Sequence, residues 1–260
     1  MRVELIGLPG AGKSHIQKHL VKALKLSNKK RFLSIDDAFL QISKNEIDKV
    51  YRFILNCLPH SMGLIFSQKL INRSYMQYDA QNRFLAKWGK AFETYLSSPV
   101  FNQMTVEDRE IRISVFLNTG AIFECINTSI PEDKIVLFDE LFVQKSFIFV
   151  SHMIDCNIDE SGFYRYLEHI PLSDIVIYVK ADINTCYDRM LSRERGVIQI
   201  LKGSDQEDIM KFFKTAEVYI NAIVNWLTNR KNIILLEIDN YEVDEAIKKL
   251  EIQIRAITDK

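Results

Sequence analysis

The sequence predicts an α/β protein built as three layers, with a five-stranded parallel sheet between helices and a helical insertion on one side. Three observations predict it. Five short apolar runs rich in Ile and Val are separated by segments with helical spacing, the order that produces parallel strands with right-handed crossovers. Gly and Pro are scarce, nine and five in 260 residues, which implies long helices and short connections. Three of those nine glycines, Gly7, Gly10 and Gly12, fall together directly after the first apolar run.

The elements follow in order. Residues 2–6, Arg-Val-Glu-Leu-Ile, form a strand that breaks at Gly7, and Ile16, Leu20, Ala23 and Leu24 give residues 13–26 a helical stripe. Residues 31–35 form the second strand, ending before Asp36 and Asp37, with a helix expected from Ala38. Residues 134–138 form the third, ending in Asp139-Glu140, and residues 174–179 the fourth. The fifth covers residues 232–238. All five read as strands covered on both faces. Helical stripes run through Ile209, Phe213, Ala216, Tyr219 and Ile223, and through Val243, Ile247, Leu250 and Ile254. Residues 39–133 hold no convincing strand and read as several helices inserted on the ligand side of the sheet. The whole chain, 1–260, is expected to be one domain.

Composition narrows the function. Thirty-four basic residues balance thirty-four acidic ones, with a pI near 7.0, which argues against a nucleic-acid-coating surface. Hydrophobic residues at 47% and charged ones at 26% are those of a folded globular chain. Cys57, Cys125, Cys156 and Cys186 are widely spaced, which suits separate reduced thiols rather than a disulfide lattice or a zinc cluster. The N-terminus lacks the apolar region of a signal peptide, and the most apolar stretch, 135–150, is too short to span a bilayer. The expected protein is cytoplasmic and contacts neither membrane nor nucleic acid.

The most specific signal is Gly7-Leu8-Pro9-Gly10-Ala11-Gly12-Lys13-Ser14, a P-loop of Gly, four free positions, Gly, Lys and Ser. Its glycines let backbone N–H groups approach phosphate oxygens, and the following helix, including His15, adds its positive end. Lys13 is expected on the β- and γ-phosphates of ATP and the Ser14 hydroxyl on Mg²⁺. The fold expected is therefore that of a P-loop NTPase. Asp139, ending a buried strand, is the expected second metal-orienting group, unless it caps the helix from Leu141. Glu140 either activates a water or an acceptor hydroxyl or favours the same helix N-terminus. Asp36 and Asp37 either accept a substrate hydroxyl proton or cap the second helix. Arg189, Arg193 and Arg195 stand at i, i+4 and i+6 after the fourth strand. Their planar charged forks suit phosphoryl oxygens, the alternative being pairs with Asp188 and Glu194. His15 and His19 share a helix face but have no third ligand in sequence, so packing or exposure accounts for them.

Taken together, the P-loop, the carboxylates after the second and third strands, the helical insertion and the Arg-x-x-x-Arg-x-Arg segment resemble the nucleoside and nucleoside-monophosphate kinases, particularly the deoxynucleoside and thymidylate kinase branch. The resemblance covers the chain in outline. It implies a kinase using ATP and Mg²⁺, a lid over residues 189–205 whose arginines close on the phosphates, and an acceptor pocket in the insertion. It also implies a small-molecule acceptor, of nucleoside or nucleotide type, and allows a homodimer. The chain departs from the family where an arginine commonly follows the acidic residue of the second or third strand; here stand Asp36-Asp37 and Asp139-Glu140. Arg52, Arg73, Arg83, Arg109 and Arg112 are candidates to replace that charge if the acceptor is a phosphate ester. Tyr75, Tyr78, Phe84, Trp88 and Phe92 are candidates for base stacking, against the simpler reading of core packing. The Asp139-Glu140 pair also fits a P-loop ATPase or nucleotide-dependent switch, and a nucleotide-binding protein without turnover is the third reading.

Overall fold

The computed structural model describes residues 1–28, 31–46, 55–59, 61–65, 67, 75–98, 101–102, 104–149, 160–192, 201, 203, 205–240 and 242–258. Five parallel strands form one sheet in the order β2-β3-β1-β4-β5. They are β1 (Arg2–Ile6), β2 (Phe32–Ser34), β3 (Ile135–Phe138), β4 (Ile175–Lys180) and β5 (Ile234–Asp239). Val3 sits opposite Leu137 on one side and Ile175 on the other, which makes β1 the central strand.

Handedness then sets the layers. From β1 the chain crosses toward β2 through α1 (Lys13–Asn28), whereas every later crossover runs the opposite way along the sheet. Right-handed connections in opposite directions lie on opposite faces. So α1 covers one face, joined there by α9 (Val243–Thr258), which packs against it. The other face receives α2 (Ile35–Glu46), α3 (Tyr75–Leu96), α4 (Val106–Ser129), α5 (Phe142–Lys145), α6 (Glu160–His169), α7 (Ile183–Leu191) and α8 (Gln206–Thr228). This is the expected P-loop type of α/β fold. Its direction reverses at β1, so the crevice for a ligand opens at the carboxyl ends of β1 and its neighbours.

Two sequence expectations change. The helix after β2 starts at Ile35, not Ala38, so Asp36 and Asp37 lie in its first turn. The reason is a reciprocal cap: the Asp37 N–H donates to Ser34 Oγ at 3.2 Å, and the Ser34 N–H donates back to Asp37 Oδ2 at 2.9 Å. Strand β5 is not covered on both faces. Ile234, Glu237 and Asp239 are exposed while Leu236 and Ile238 are buried, the alternation of an edge strand.

The helical insertion is anchored by aromatic rings. Phe84 of α3 stacks on Phe142 of α5 with centroids 5.2 Å apart and planes 8° from parallel. Phe116 and Phe123 of α4 meet the same Phe142 ring edge-on, at 5.5 and 5.8 Å. Phe84, Phe116 and Phe142 are fully buried. Each such side chain contributes about 1.5–3 kcal/mol through area removed from water, and the ring pairs add about 0.5–1.5 kcal/mol apiece. Phe84 is therefore a core residue and not stacking surface; Phe92 is half-buried and packs on Phe116. Tyr78 is exposed, and Trp88 is half-buried against the core where α3 kinks. The side chain of Tyr75, and all of Arg52 and Arg73, lie outside the described residues. Arg83 and Lys87 both approach the buried carboxylate of Glu124, and Arg109 donates to the carbonyls of Asn102 and Met104.

Cys125 and Cys186 are buried and Cys57 is exposed, while Cys156 lies outside the described residues. Among the described residues no helix is long and apolar enough to cross a membrane.

Gly120 of α4 tests the aromatic anchor. A Cβ there would overlap the Phe84 ring, which cannot withdraw without leaving Phe142. Gly120→Ala should lower stability by about 1–2 kcal/mol in urea denaturation, although alanine is the better helix former. An unchanged or raised midpoint would show that Phe84 is free to move.

Candidate active site

The loop from Gly7 to Gly12 leaves β1 at the carboxyl edge of the sheet and enters α1 at Lys13. Gly10 and Gly12 both have φ near +90°, where a Cβ is disfavoured. Space forbids one as well. At Gly10 a Cβ would overlap the Cys186 carbonyl of α7, and at Gly12 it would overlap the Asn240 carboxamide beyond β5. The loop is thus wedged between the chain segments that follow β4 and β5.

Lys13 is buried, and its Nζ donates to the Gly7 and Leu8 carbonyls at 3.0 and 3.3 Å. Its ammonium also lies 3.6 Å from Glu140 Oε1. The Ser14 hydroxyl donates to Asp139 Oδ2 at 2.8 Å, which joins the start of α1 to the end of β3. The second carboxylate oxygen, Asp139 Oδ1, is buried with no partner among the described residues. Burial pushes the Asp139 carboxyl above its ordinary value, against the Ser14 hydrogen bond, which draws it down. A paired serine hydroxyl and aspartate with one uncompensated buried oxygen is a donor set of the hard-oxygen kind that suits Mg²⁺. Ser14 and Asp139 therefore fit the metal expected of them. Asp139 does not cap the following helix; that cap comes from elsewhere.

It comes from Glu4, in the middle of β1. Glu4 is completely buried, and its Oε1 accepts the N–H of Leu141 at 2.8 Å and of Gln144 at 3.0 Å. Burial pushes the Glu4 carboxyl up to about 7, against these two hydrogen bonds and the nearby charge of Lys145, which lower it; Glu140 raises it further. Gln144, also buried, turns its side chain back to the loop, where Oε1 accepts the Gly7 N–H at 2.9 Å. At the other end of the loop, the Asn240 carboxamide donates to the Ala11 carbonyl.

The other candidates are placed as follows. Leu8, Pro9, Gly10 and Ala11 form the loop crest, and His15 is exposed on α1 with its ring against His19 at 4.4 Å. Asp37 is committed to Lys25 and Ser34: burial alone would raise its carboxyl, but these hydrogen bonds outweigh it and hold it below the ordinary value. Asp36 is half-buried beside it. Arg189, in the last turn of α7, reaches the Asn240 carbonyl at 3.5 Å and so borders the loop near Gly12. Helix α7 ends at Leu191, and Arg193 and Arg195 lie outside the described residues. A surface groove of about 510 Å³ along Tyr164, Val218 and Trp226 shares no residue with this crevice.

Three residues of the site, Glu4, Gln144 and Asn240, were not singled out from sequence. A charge inside a buried strand run was the one available signal for Glu4. Gln144 and Asn240 sit among ordinary polar positions, and only the fold brings them to the loop.

No protein-family model matches the chain, and no curated protein matches it. Solved structures that it resembles include deoxyadenosine kinase from M. mycoides with dCMP and dCDP, at 16% identity and a TM-score of 0.48, covering 98% of this chain and 100% of that one. The same enzyme with dCTP gives 14% and 0.47, covering 98% and 100%, and with dATP 14% and 0.47, covering 98% and 99%.

Glu4 makes stability depend on pH. Its folded carboxyl holds a proton more tightly than the ordinary value of 4.5, so its contribution to stability falls as pH rises toward about 7. Glu4→Gln carries no such charge. Without Mg²⁺, its unfolding free energy relative to wild type should rise by up to about 3 kcal/mol between pH 4.5 and pH 8. Parallel stability curves for the two proteins would show that Glu4 is not the titrating group.

Proposed function

We propose that the chain is an ATP- and Mg²⁺-dependent phosphotransferase that moves the γ-phosphoryl group to a small hydroxyl or phosphate acceptor of the nucleoside or nucleotide class. The observation that carries the proposal is the Ser14–Asp139 pair at 2.8 Å, with Asp139 Oδ1 buried and unpartnered, set beside Lys13 at the mouth of a P-loop. Position adds support. The helices α3 and α4 pack through Phe84, Phe116 and Phe123 on Phe142, three residues beyond Asp139, so the insertion stands next to the reacting end of the crevice. That is where an acceptor pocket is needed.

In this reading the loop N–H groups and the start of α1 bind the phosphates. Lys13 exchanges its bonds to the Gly7 and Leu8 carbonyls for the β- and γ-phosphates, and Ser14 and Asp139 hold the metal. Bound Mg²⁺ would supply charge neutralisation as the phosphoryl group leaves the β-phosphate. Arg189 borders the loop and stabilises charge on the phosphates, with Arg193 and Arg195 beyond it as lid candidates. Asp37 is bound to Lys25 and Ser34, and Asp36 and Glu140 are the other candidates to take the proton of an acceptor hydroxyl. Positioning and electrostatics carry most of the rate, and little covalent chemistry is asked of the protein.

One observation favours a second reading. Glu140 reaches to 3.6 Å from Lys13, so its carboxylate stands where it can orient a water on the γ-phosphate, as an ATPase requires. Labelled ATP with Mg²⁺, offered with pooled nucleosides, nucleoside monophosphates and other hydroxyl metabolites, separates the two. Label on one acceptor pool, lost by at least about a hundredfold in Lys13→Ala with an unchanged circular dichroism spectrum, supports the kinase. Label only in free phosphate, at a rate no pool alters and abolished in Glu140→Gln, sinks the kinase in favour of the ATPase.

A further inference from the structure

Two buried carboxamides hold the phosphate loop at opposite ends, and neither belongs to the loop motif. Gln144 Oε1 accepts the Gly7 N–H at 2.9 Å, where the chain leaves β1. Asn240 donates its amide to the Ala11 carbonyl, just before Gly12 turns the chain into α1. Both side chains are more than nine-tenths buried. Both are also fixed from behind. The Gln144 backbone N–H is held by Glu4 at 3.0 Å, and the Asn240 N–H donates to the Lys180 carbonyl at the end of β4 at 2.9 Å.

We infer that Gln144 and Asn240 are positioning residues that preorganise the loop for phosphate, acting as a clamp on the peptide groups at Gly7 and Ala11. This inference rests on the loop being a nucleotide phosphate site. The physical case is one of entropy and direction. A glycine-rich loop free to sample other conformations must be ordered when its ligand arrives, and that ordering subtracts from affinity. Hydrogen bonds from two separate segments, one after β3 and one after β5, hold the ends of the loop before binding. They also divide the backbone groups by duty: the Gly7 N–H and Ala11 carbonyl are satisfied by the two carboxamides and the Ala11 N–H by the Leu8 carbonyl at 3.0 Å, which leaves the first N–H groups of α1 to face a ligand. The Asn240 backbone is tied to a further segment. Arg189 reaches the Asn240 carbonyl at 3.5 Å, so the residue that holds Ala11 also carries the start of the arginine segment.

The test uses ADP with Mg²⁺ as the probe and does not depend on an acceptor. Gln144→Met and Asn240→Leu keep side-chain volume and remove the hydrogen bond. In ¹⁵N–¹H spectra of the ligand-free protein, the Gly7 amide should move upfield in Gln144→Met and the Gly12 amide should move in Asn240→Leu, with most other resonances in place. Affinity for ADP with Mg²⁺ should weaken about tenfold in each variant. For ATP turnover, KM should rise while kcat changes less than threefold. Gln144→Glu, which keeps an acceptor oxygen at the same reach, should return the Gly7 resonance toward its wild-type position. Should Gln144→Met fail to fold, Gln144→Asn, one methylene too short to reach Gly7, is read on the same resonance and the same affinity. Folded variants that bind within twofold of wild type, with Gly7 and Gly12 unmoved, overturn the clamp. Wild-type protein that does not bind ADP with Mg²⁺ at all overturns instead the reading of the loop as a phosphate site.

Discussion

A carboxylate buried in the central strand sets the geometry of everything at the crevice. Glu4 has no exposure to water, and one of its oxygens receives two backbone N–H groups from the segment after β3. An ionised carboxylate in such a place costs several kcal/mol unless hydrogen bonds offset it, and here burial outweighs the two bonds and pushes the carboxyl up to about 7. What the cost maintains is a fixed distance between β1 and the turn that carries Asp139 and Glu140. Leu141 stands at the N-cap position of α5 without a side-chain cap, and Glu4 supplies the missing acceptor from another strand.

From that anchor the contacts run outward in a closed path. Glu4 holds the Gln144 backbone, the Gln144 side chain holds Gly7, Gly7 opens the loop, and the loop delivers Ser14 to Asp139. Each link joins β1 and its loop to the segment beyond β3. The loop and the Asp139 carboxylate are thus parts of one rigid arrangement, which is what a site acting by electrostatic preorganisation requires. Charge is arranged along the same path. Lys13 faces Glu140, while Asp139 keeps one buried oxygen without a hydrogen-bond partner among the described residues.

The helical insertion meets this arrangement through aromatic packing rather than polar contacts. Phe142 begins α5 and receives rings from α3 and α4, so the orientation of the insertion is tied to the same short segment that Glu4 caps. Burial of the tyrosine bodies is completed by hydrogen bonds from their hydroxyls: Tyr166 to the Phe142 carbonyl at 3.1 Å and Tyr219 to the Phe149 carbonyl at 3.2 Å. Large rings therefore fill the core beneath the crevice with these two hydroxyls satisfied.

The sequence by itself determined the five strands within a residue or two, the parallel α/β class and the loop, because apolar runs, helical periodicity and a glycine motif are local signals that hydrophobic burial and backbone sterics enforce wherever the chain goes. It also placed Asp139 at a strand end, since a charge closing a buried run must face outward. Tertiary structure alone decided the strand order, that β5 is an edge with one wet face, and that the helix after β2 begins at Ile35 through the reciprocal bonding of Ser34 and Asp37. It alone decided that Phe84 is core. The roles of Glu4, Gln144 and Asn240 were equally out of reach. Their partners lie 137, 140 and 229 residues away along the chain, and no local pattern records which backbone group a distant side chain will meet once the sheet has closed.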